Sequence, residues 1–291
     1  MISNASRQFP AVLLSLAVFW VSPQAAAHQE SGDIVRTWNE VALNTVRVKN
    51  ASDAQAARLY AMVHVAIYDA VNGIASKTGL IDRKHALVPP SGAPFNGHRI
   101  AAAAAAAHAV LSGLYPDQAA VFDARLAADL APLGPPSSVA AGQAWGAGVG
   151  ADVLVARAND GSSPNETQAA GSGPGKFRAS WSGVQFRNLA PFAIASSSVY
   201  VGSGPPALES VDYAAELAEV AVIGNAALVD AAKKATYDYW ALGNNTSQPA
   251  GWWLQATSQV SLNRSLSLDR TARLFALVSM GLSDSVAPTY M

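Results

Sequence analysis

The chain has 291 residues and a formal net charge of -1; 51% of its residues are hydrophobic and 13% are charged. So weak a charge balance argues against a partner bound mainly by electrostatics, such as a nucleic acid or an acidic membrane surface. The chain contains no cysteine, which excludes disulfides, thiolate metal sites and a cysteine nucleophile. Its stability must therefore come from a packed apolar core.

The N-terminus has the organisation of a secretory signal peptide, predicted to span residues 1–27. Arg7 supplies a positive charge, AVLLSLAVFWV (11–21) is apolar, and small residues end at Ala27. An uncleaved anchor is the alternative, but a membrane span needs roughly 20 apolar residues, about twice the length of this run. We therefore predict cleavage, no stable membrane anchor afterwards, an exported protein (periplasmic or extracellular), and a mature domain of residues 28–291.

Apolar residues at helical spacing dominate the first part of this domain. Asp33 is predicted to cap the first helix, and the capping box SDAQ (52–55) begins the second. Asn72-Gly73 is predicted to end that second helix. The alanine-rich run at 100–116 predicts a third helix, which is central because its small side chains let neighbours approach closely.

Two further helices are predicted at 117–130 and 138–158. In the latter, glycine recurs at every fourth position: Gly142, Gly146 and Gly150. This spacing predicts a flat face for close contact with another helix. The same pattern occurs in membrane helices, but Gln143 and Asp152 favour a soluble core.

Residues 159–208 are rich in glycine, proline and serine and predict a long irregular loop. Four aromatic residues are expected to pin this loop to the body: Trp181, Phe186, Phe192 and Tyr200. Helical patterns then resume at 210–223, 227–242, 252–261 and 267–284. With no strand alternation of useful length and no repeat of fixed period, the fold class is predicted to be all-α: a multi-helix bundle of about nine helices.

Motifs of known chemistry are missing. The histidines form no HExxH pattern, and His64 and His108 lie on apolar helices, which favours core histidines over ligands. GSGPGKF (171–177) lacks the first glycine, the final Ser or Thr and the preceding strand of a phosphate loop. There is no GxSxG sequence.

Carboxylates occur singly along the helices, among them Asp69, Glu216, Glu219 and Asp284. They are predicted to be caps or partners of Arg58 and Arg273 rather than an acid/base pair. We therefore predict no catalytic, cofactor-binding or metal-binding residue in this chain.

Five stretches follow one another along nearly the whole mature chain: VRTWNEVALNTVRV (35–48), AARLYAMVHVAIYDAVNGI (56–74), AAAAAAAHAVLSGLYP (101–116), the segment 189–224 and ARLFALVSMGLSDS (272–285). In this order and spacing they resemble the vanadium-dependent haloperoxidases of the type 2 phosphatidic acid phosphatase/haloperoxidase superfamily. The resemblance implies a helical-bundle fold and, for full-length relatives, peroxide-driven halide oxidation on bound vanadate.

The resemblance also implies an oxyanion pocket, built from a Lys and an Arg-Pro, then Pro-Ser-Gly-His, then Ser-Arg with a following His. This sequence departs from that pattern. Its Pro-Ser-Gly at 90–92 is followed by Ala93 and lies in the wrong half of the chain, and NRSLSLDR (263–270) has no following His. In relatives, the helix that matches 272–285 leads almost directly into the segment with the Lys and the Arg-Pro.

We therefore expect the N-terminal part of a haloperoxidase-like protein, truncated before the pocket, inactive alone and without vanadate. Two alternatives stay open: a non-enzymatic exported helical binding module, and a truncated acid phosphatase of the same superfamily. The expected partner is a missing C-terminal half or a second copy. Apolar residues of the last helix would be core positions facing that half: Leu274, Leu277, Val278 and Leu282.

Overall fold

A computed structural model of the protein describes residues 30–79, 84–225 and 227–291, so the predicted signal peptide lies outside the described residues. This part of the chain forms nine helices of ten or more residues: α1 (Asp33–Lys49), α2 (Asp53–Lys77), α3 (Arg99–Leu114), α4 (Ala119–Leu130), α5 (Pro136–Ala156), α6 (Val211–Ile223), α7 (Ala231–Trp240), α8 (Gln248–Asn263) and α9 (Leu268–Asp284). A five-residue helix, α10 (Val286–Tyr290), follows α9. The prediction of an all-α bundle of about nine helices is confirmed.

Helix α2 forms the centre of the molecule. It packs against α1, α3, α5, α8 and α9, and nearly all of its side chains are buried. The predicted capping box is present: the Ser52 hydroxyl accepts from the Gln55 N–H at 3.3 Å, and the Gln55 side chain accepts from the Ser52 N–H at 3.0 Å.

The predicted end of α2 at Asn72-Gly73 is wrong, because the helix continues to Lys77. Gly73 serves close packing instead. A Cβ atom at this position would lie 2.8 Å from the ring of Trp145, a residue of α5. The Trp145 indole N–H also donates to the Ala70 carbonyl at 2.9 Å, so the Trp145 side chain covers this face of α2.

Helices α3 and α5 meet along the predicted glycine face. A Cβ atom at Gly142, Gly146 or Gly150 would overlap or crowd a backbone carbonyl of the facing segment, at His98, Ala102 and Ala106 respectively. Among the described helices, Pro136–Ala156 alone is long and apolar enough to span a membrane by length and composition, a test that core helices also pass. Its glycine face rests on α3, as expected for a packed core.

The segment 159–208 is irregular, as predicted. It contains two paired two-residue strands, β1 (Thr167–Gln168) and β2 (Trp181–Ser182), and 3-10 turns at Val184–Asn188 and Ser197–Tyr200; further 3-10 turns lie at Pro90–Gly92 and Pro116–Gln118. Phe186 is buried, and the rings of Trp181 and Phe186 lie 5.9 and 6.0 Å from that of Tyr290. The expectation that Tyr200 pins the loop is wrong, since Tyr200 is 64% exposed beside an open cavity.

Helices α6 and α7 are much less covered than the other long helices. All described side chains of α6 and α7 are exposed apart from Tyr213, which is half-buried. Helix α9 buries one face, including Phe275 and Ala276, against α2 and α8. Of the four apolar residues expected to face a missing half, Val278 and Leu282 are partly buried against the core, Leu274 is also partly buried, and Leu277 is 47% exposed.

Candidate functional site

Two buried aspartates, Asp69 on α2 and Asp284 on α9, each hold a loop in the same way. The Asp69 carboxylate accepts from three consecutive backbone N–H groups, those of residues 86–88, at 2.6 to 2.8 Å. The Asp284 carboxylate accepts from those of residues 192–194 at 2.6 to 3.1 Å. Burial raises the pKa of Asp69 in spite of these bonds. Neither aspartate has a predicted role, that of a helix cap or a partner of Arg58 or Arg273, because each carboxylate binds the backbone of an irregular loop instead.

The two aspartates belong to matching sequences. ARLYAMVHVAIYDAV (57–71) aligns without a gap on ARLFALVSMGLSDSV (272–286), and seven of the fifteen positions are identical. The identical pairs are Ala57/Ala272, Arg58/Arg273, Leu59/Leu274, Ala61/Ala276, Val63/Val278, Asp69/Asp284 and Val71/Val286. The pair occurs once along the chain and therefore has no period. Helices α2 and α9 thus carry two similar stretches, which we call the first copy (57–71) and the second copy (272–286).

A cavity lies where the second copy lacks a neighbour. In the first copy, Trp145 fills the space beside Ala70 and Gly73. Ser285 aligns with Ala70, and Pro288, in α10, stands at the spacing of Gly73, two residues past the end of the alignment. They line a cavity of about 440 Å³, which we call the α9 cavity, together with Ile194, Tyr200, Gly281 and Asp284. The bonds from the loop to Asp284 hold Ile194 in its wall.

A buried ionic cluster supports the loop that forms this wall. Arg58 and Arg157 both donate to one carboxylate oxygen of Asp160, at 2.7 and 2.9 Å. Burial raises the pKa of Asp160 whereas hydrogen bonds from Arg58 and Ser162 lower it, and the balance leaves it below its usual value. Arg157 also donates to the Ala190 carbonyl at 2.6 Å and lies 3.9 Å from the centre of the Phe192 ring.

Comparison with known proteins identifies the fold. No family model and no curated protein matches the chain. It is similar to a solved structure, that of the first bacterial vanadium-dependent iodoperoxidase, with a TM-score of 0.62 and 15% sequence identity. The chain has a haloperoxidase-like fold. The match covers 88% of this chain and 66% of that protein, so the chain spans slightly less than two thirds of the iodoperoxidase chain.

The residues described in this haloperoxidase-like fold do not fit vanadate. An oxyanion of high charge requires cationic donors that are free to bind it. The guanidinium groups of Arg58 and Arg157 donate to Asp160 and to backbone carbonyls, so they hold the scaffold together and do not line the α9 cavity. The α9 cavity is lined by the carboxylate of Asp284 and by no Lys or Arg. Within the described ranges there is also no group of three or more His, Asp or Glu that could hold a metal ion.

The two histidines predicted to lie in the core differ. His64 is fully buried, its Nε2 lies 3.0 Å from the Asn39 side-chain oxygen, and its ring lies 4.8 Å from that of Phe275. Burial lowers the pKa of His64 to about 3, so the ring is neutral. His108 is only half-buried, and its Nε2 lies 2.6 Å from the Asp123 carboxylate. The prediction is confirmed for His64 and wrong for His108, which lies at the α3–α4 surface.

Proposed function

We propose that the chain is the N-terminal helical part of a vanadium-haloperoxidase-like protein and supplies its scaffold but not its oxyanion pocket. The observation that carries this proposal is the haloperoxidase-like fold, which extends over 88% of the chain. The reaction of the complete protein would be peroxide-driven halide oxidation on vanadate. We further propose that the chain is exported, because residues 1–27 have the sequence pattern of a signal peptide.

In this proposal the chain alone does not turn over halide. Vanadate, when bound by a complete relative, supplies the centre at which peroxide is activated. This chain contributes rigid positions instead: Asp284 fixes the backbone of residues 192–194, and Arg157 fixes the carbonyls of Ala190 and Pro191. Arg58 and Arg157 serve the scaffold in the same way, because both donate to Asp160 and to backbone carbonyls.

Activity and binding measurements test the absence of the pocket. The purified protein is assayed for bromide and iodide oxidation with peroxide and vanadate, and for hydrolysis of an aryl phosphate, with an active vanadium haloperoxidase as positive control. We expect rates equal to those without protein, and unchanged vanadate line widths in vanadium NMR. Turnover or specific line broadening would contradict the proposal. A phosphatase rate alone would favour the acid phosphatase branch.

The nucleotide sequence after codon 291 tests the other half of the proposal. We expect a reading frame, continuous or displaced by a frameshift, that encodes a Lys, an Arg-Pro and a Pro-Ser-Gly-His. A sequence without these motifs would contradict the proposal and favour the second candidate, a helical binding module. The exposed apolar side chains of α6, α7 and α9 favour that candidate, and they include Leu217, Val220 and Leu277.

A further inference from the structure

A smaller cavity, which we call the α2–α3 cavity, lies where the irregular segment 159–208 meets the helical bundle. Its volume is about 150 Å³, and it shares no residue with the α9 cavity. Three apolar residues and four residues with hydrogen-bond donors line it: Leu59, Leu114 and Phe186, and Gln55, Arg58, Tyr115 and Ser162. No Asp or Glu of the described ranges is among the lining residues. The polar part of the wall therefore offers donors and one positive charge.

Two of these side chains, those of Gln55 and Arg58, keep donor groups that the fold does not use. The Oε1 atom of Gln55 accepts from the Ser52 N–H in the capping box, which leaves the amide NH₂ group to donate. Arg58 donates through Nε to the Asp160 carboxylate and through Nη2 to the Arg157 carbonyl. Its other terminal nitrogen, Nη1, has no hydrogen-bond partner in the part of the chain that the structure describes. Helix α2 thus presents two unused N–H donors to the cavity.

The other two donors are the hydroxyl groups of Tyr115 and Ser162. Within the described residues, Tyr115 forms hydrogen bonds through its backbone alone, and Ser162 donates only its backbone N–H, to Asp160 at 3.2 Å. Burial raises the pKa of Tyr115, and the positive charge of Arg58 offsets only part of this rise. The Tyr115 hydroxyl therefore keeps its proton at neutral pH and can donate it. Four donors from three separate parts of the chain fit an acceptor that has no donors of its own.

The charges around the cavity fit an acceptor with a single negative charge. Asp160 is shared between the guanidinium groups of Arg58 and Arg157, so one carboxylate does not balance both. The next carboxylates are engaged elsewhere: Asp117 lies in a salt bridge of 2.8 Å, and Asp284 accepts from three backbone N–H groups. One shared guanidinium group cannot balance a dianion. Because the apolar wall forms no hydrogen bonds, it favours an anion with a weakly hydrated face.

We propose that the α2–α3 cavity binds a small monovalent anion, either an inorganic ion such as nitrate or the carboxylate of a short organic acid such as acetate. At roughly 30 Å³ for each water-sized group, the cavity has room for about five such groups. Gln55 and Arg58 donate to the anion from α2, and Ser162 donates from the irregular segment. The anion thereby links this segment to the bundle and stabilises the folded protein. This inference does not depend on the proposed haloperoxidase-like function.

Thermal unfolding of the purified protein tests for the site. Sodium nitrate, sodium acetate and sodium fluoride are titrated separately, and sodium gluconate, whose anion is too large for the cavity, keeps the ionic strength constant. We expect nitrate or acetate to raise Tm with saturation at millimolar concentration, and fluoride to have no such effect because it is strongly hydrated. A larger effect of nitrate assigns the site to an inorganic anion, and a larger effect of acetate assigns it to an organic acid.

Gln55→Glu tests the location of the site without loss of the capping box. The glutamate carboxylate also accepts from the Ser52 N–H, but it brings a negative charge into the cavity and competes for Arg58. We expect the anion affinity, obtained from the Tm titration, to fall by about tenfold or more. Gln255→Glu is the same change at an exposed position of α8 that does not line the cavity, and as the matched control it retains the affinity.

Removal of single hydroxyl groups gives a finer test. Tyr115→Phe and Ser162→Ala each remove one donor and should weaken the affinity by about fivefold. Line broadening of chloride in chlorine NMR, and its reversal by nitrate, provides a second readout that does not depend on unfolding. Absence of saturable stabilisation by both nitrate and acetate, or an affinity that Gln55→Glu leaves unchanged, would overturn the proposal. An equal loss in Gln55→Glu and Gln255→Glu would reveal a general charge effect and likewise overturn it.

Discussion

Helices α2 and α9 carry closely related fifteen-residue sequences, yet one lies at the centre of the molecule and the other at its surface. Five helices contact α2, and they bury both its apolar residues and His64. Around α9, some positions that match fully buried residues of α2 are exposed, namely Leu277, Gly281 and Ser285, whereas others are buried like their counterparts, among them Phe275, Ala276 and Ser279. An apolar pattern therefore tells which positions are suited to burial, whereas the number of neighbouring helices decides how deeply they are buried.

The loop anchors give the largest expected losses of stability in the two copies. Asp69→Ala should lower the free energy of unfolding by about 4 kcal/mol, because three backbone N–H groups lose their acceptor at a buried site. Asp284→Ala should lower it by about 2 kcal/mol, because water reaches the exposed Ala193 in the second loop. Urea unfolding measures both. Equal losses would contradict the contrast, and Asp→Asn at each position is the control.

Replacing an apolar side chain by alanine should also cost more stability in the first copy than at the aligned position of the second copy. Met62→Ala removes a fully buried side chain and should cost about 3 kcal/mol. Leu277→Ala removes a side chain that is already half in water and should cost less than about 1 kcal/mol. Thermal and urea unfolding provide the comparison. If Leu277→Ala cost as much as Met62→Ala, the surface of α9 would have to be covered in solution.

The loss of folding stability at low pH should come from the first copy, because it contains His64 and the aligned position of the second copy is Ser279. Burial lowers the pKa of His64 to about 3 in the folded protein, below its unfolded value of about 6.5. The unfolded chain therefore binds the extra proton first, and folding stability falls as the pH drops below about 6.5. Between pH 6.5 and 5 we expect a loss of about 2 kcal/mol, which His64→Gln should remove. His108→Gln is the control and should retain the loss.

One substitution at two glycines should have opposite effects. Gly146→Ala forces a Cβ atom onto the Ala102 carbonyl and should cost about 2 kcal/mol. Gly281→Ala places the same atom in open space on a helix and should stabilise the protein by about 0.5 kcal/mol through helix propensity. Differential scanning calorimetry resolves the two signs. Destabilisation by Gly281→Ala would mean that the α9 cavity is narrower in solution.

Features with a local period could be predicted from the sequence. The glycines at every fourth position of α5 and the alanine run of α3 have one consistent reading, because only small side chains let two helices approach to backbone contact. The capping box before α2 is similarly local. Gly73 shows the limit of such signals, since the same residue type that ends helices here admits the ring of Trp145, a residue far away in sequence.

The candidate site could not be predicted, because its contacts involve backbone atoms and distant pairs. Asp284 accepts from backbone N–H groups that lie ninety or more residues earlier in the chain. Every residue type except proline carries such a group, so the sequence does not distinguish these three from the others. Arg58 was expected near a helical carboxylate, but its partner Asp160 follows α5 in an irregular segment. The match between α2 and α9, in contrast, is a property of the sequence alone, at residues 57–71 and 272–286.

The contact between α3 and α5 has a mechanical consequence. Where Gly146 faces the Ala102 carbonyl, the two helices meet through backbone atoms, and there is no long side chain whose rotamer change could absorb a displacement. We therefore expect α3 and α5 to move as one rigid unit, which the hydrogen bond from Trp145 connects to α2. Helix α9 meets its neighbours through longer side chains such as Phe275, which can slide and re-form contacts. When the molecule is mechanically stretched, we expect the contacts of α9 to shift before those between α3 and α5.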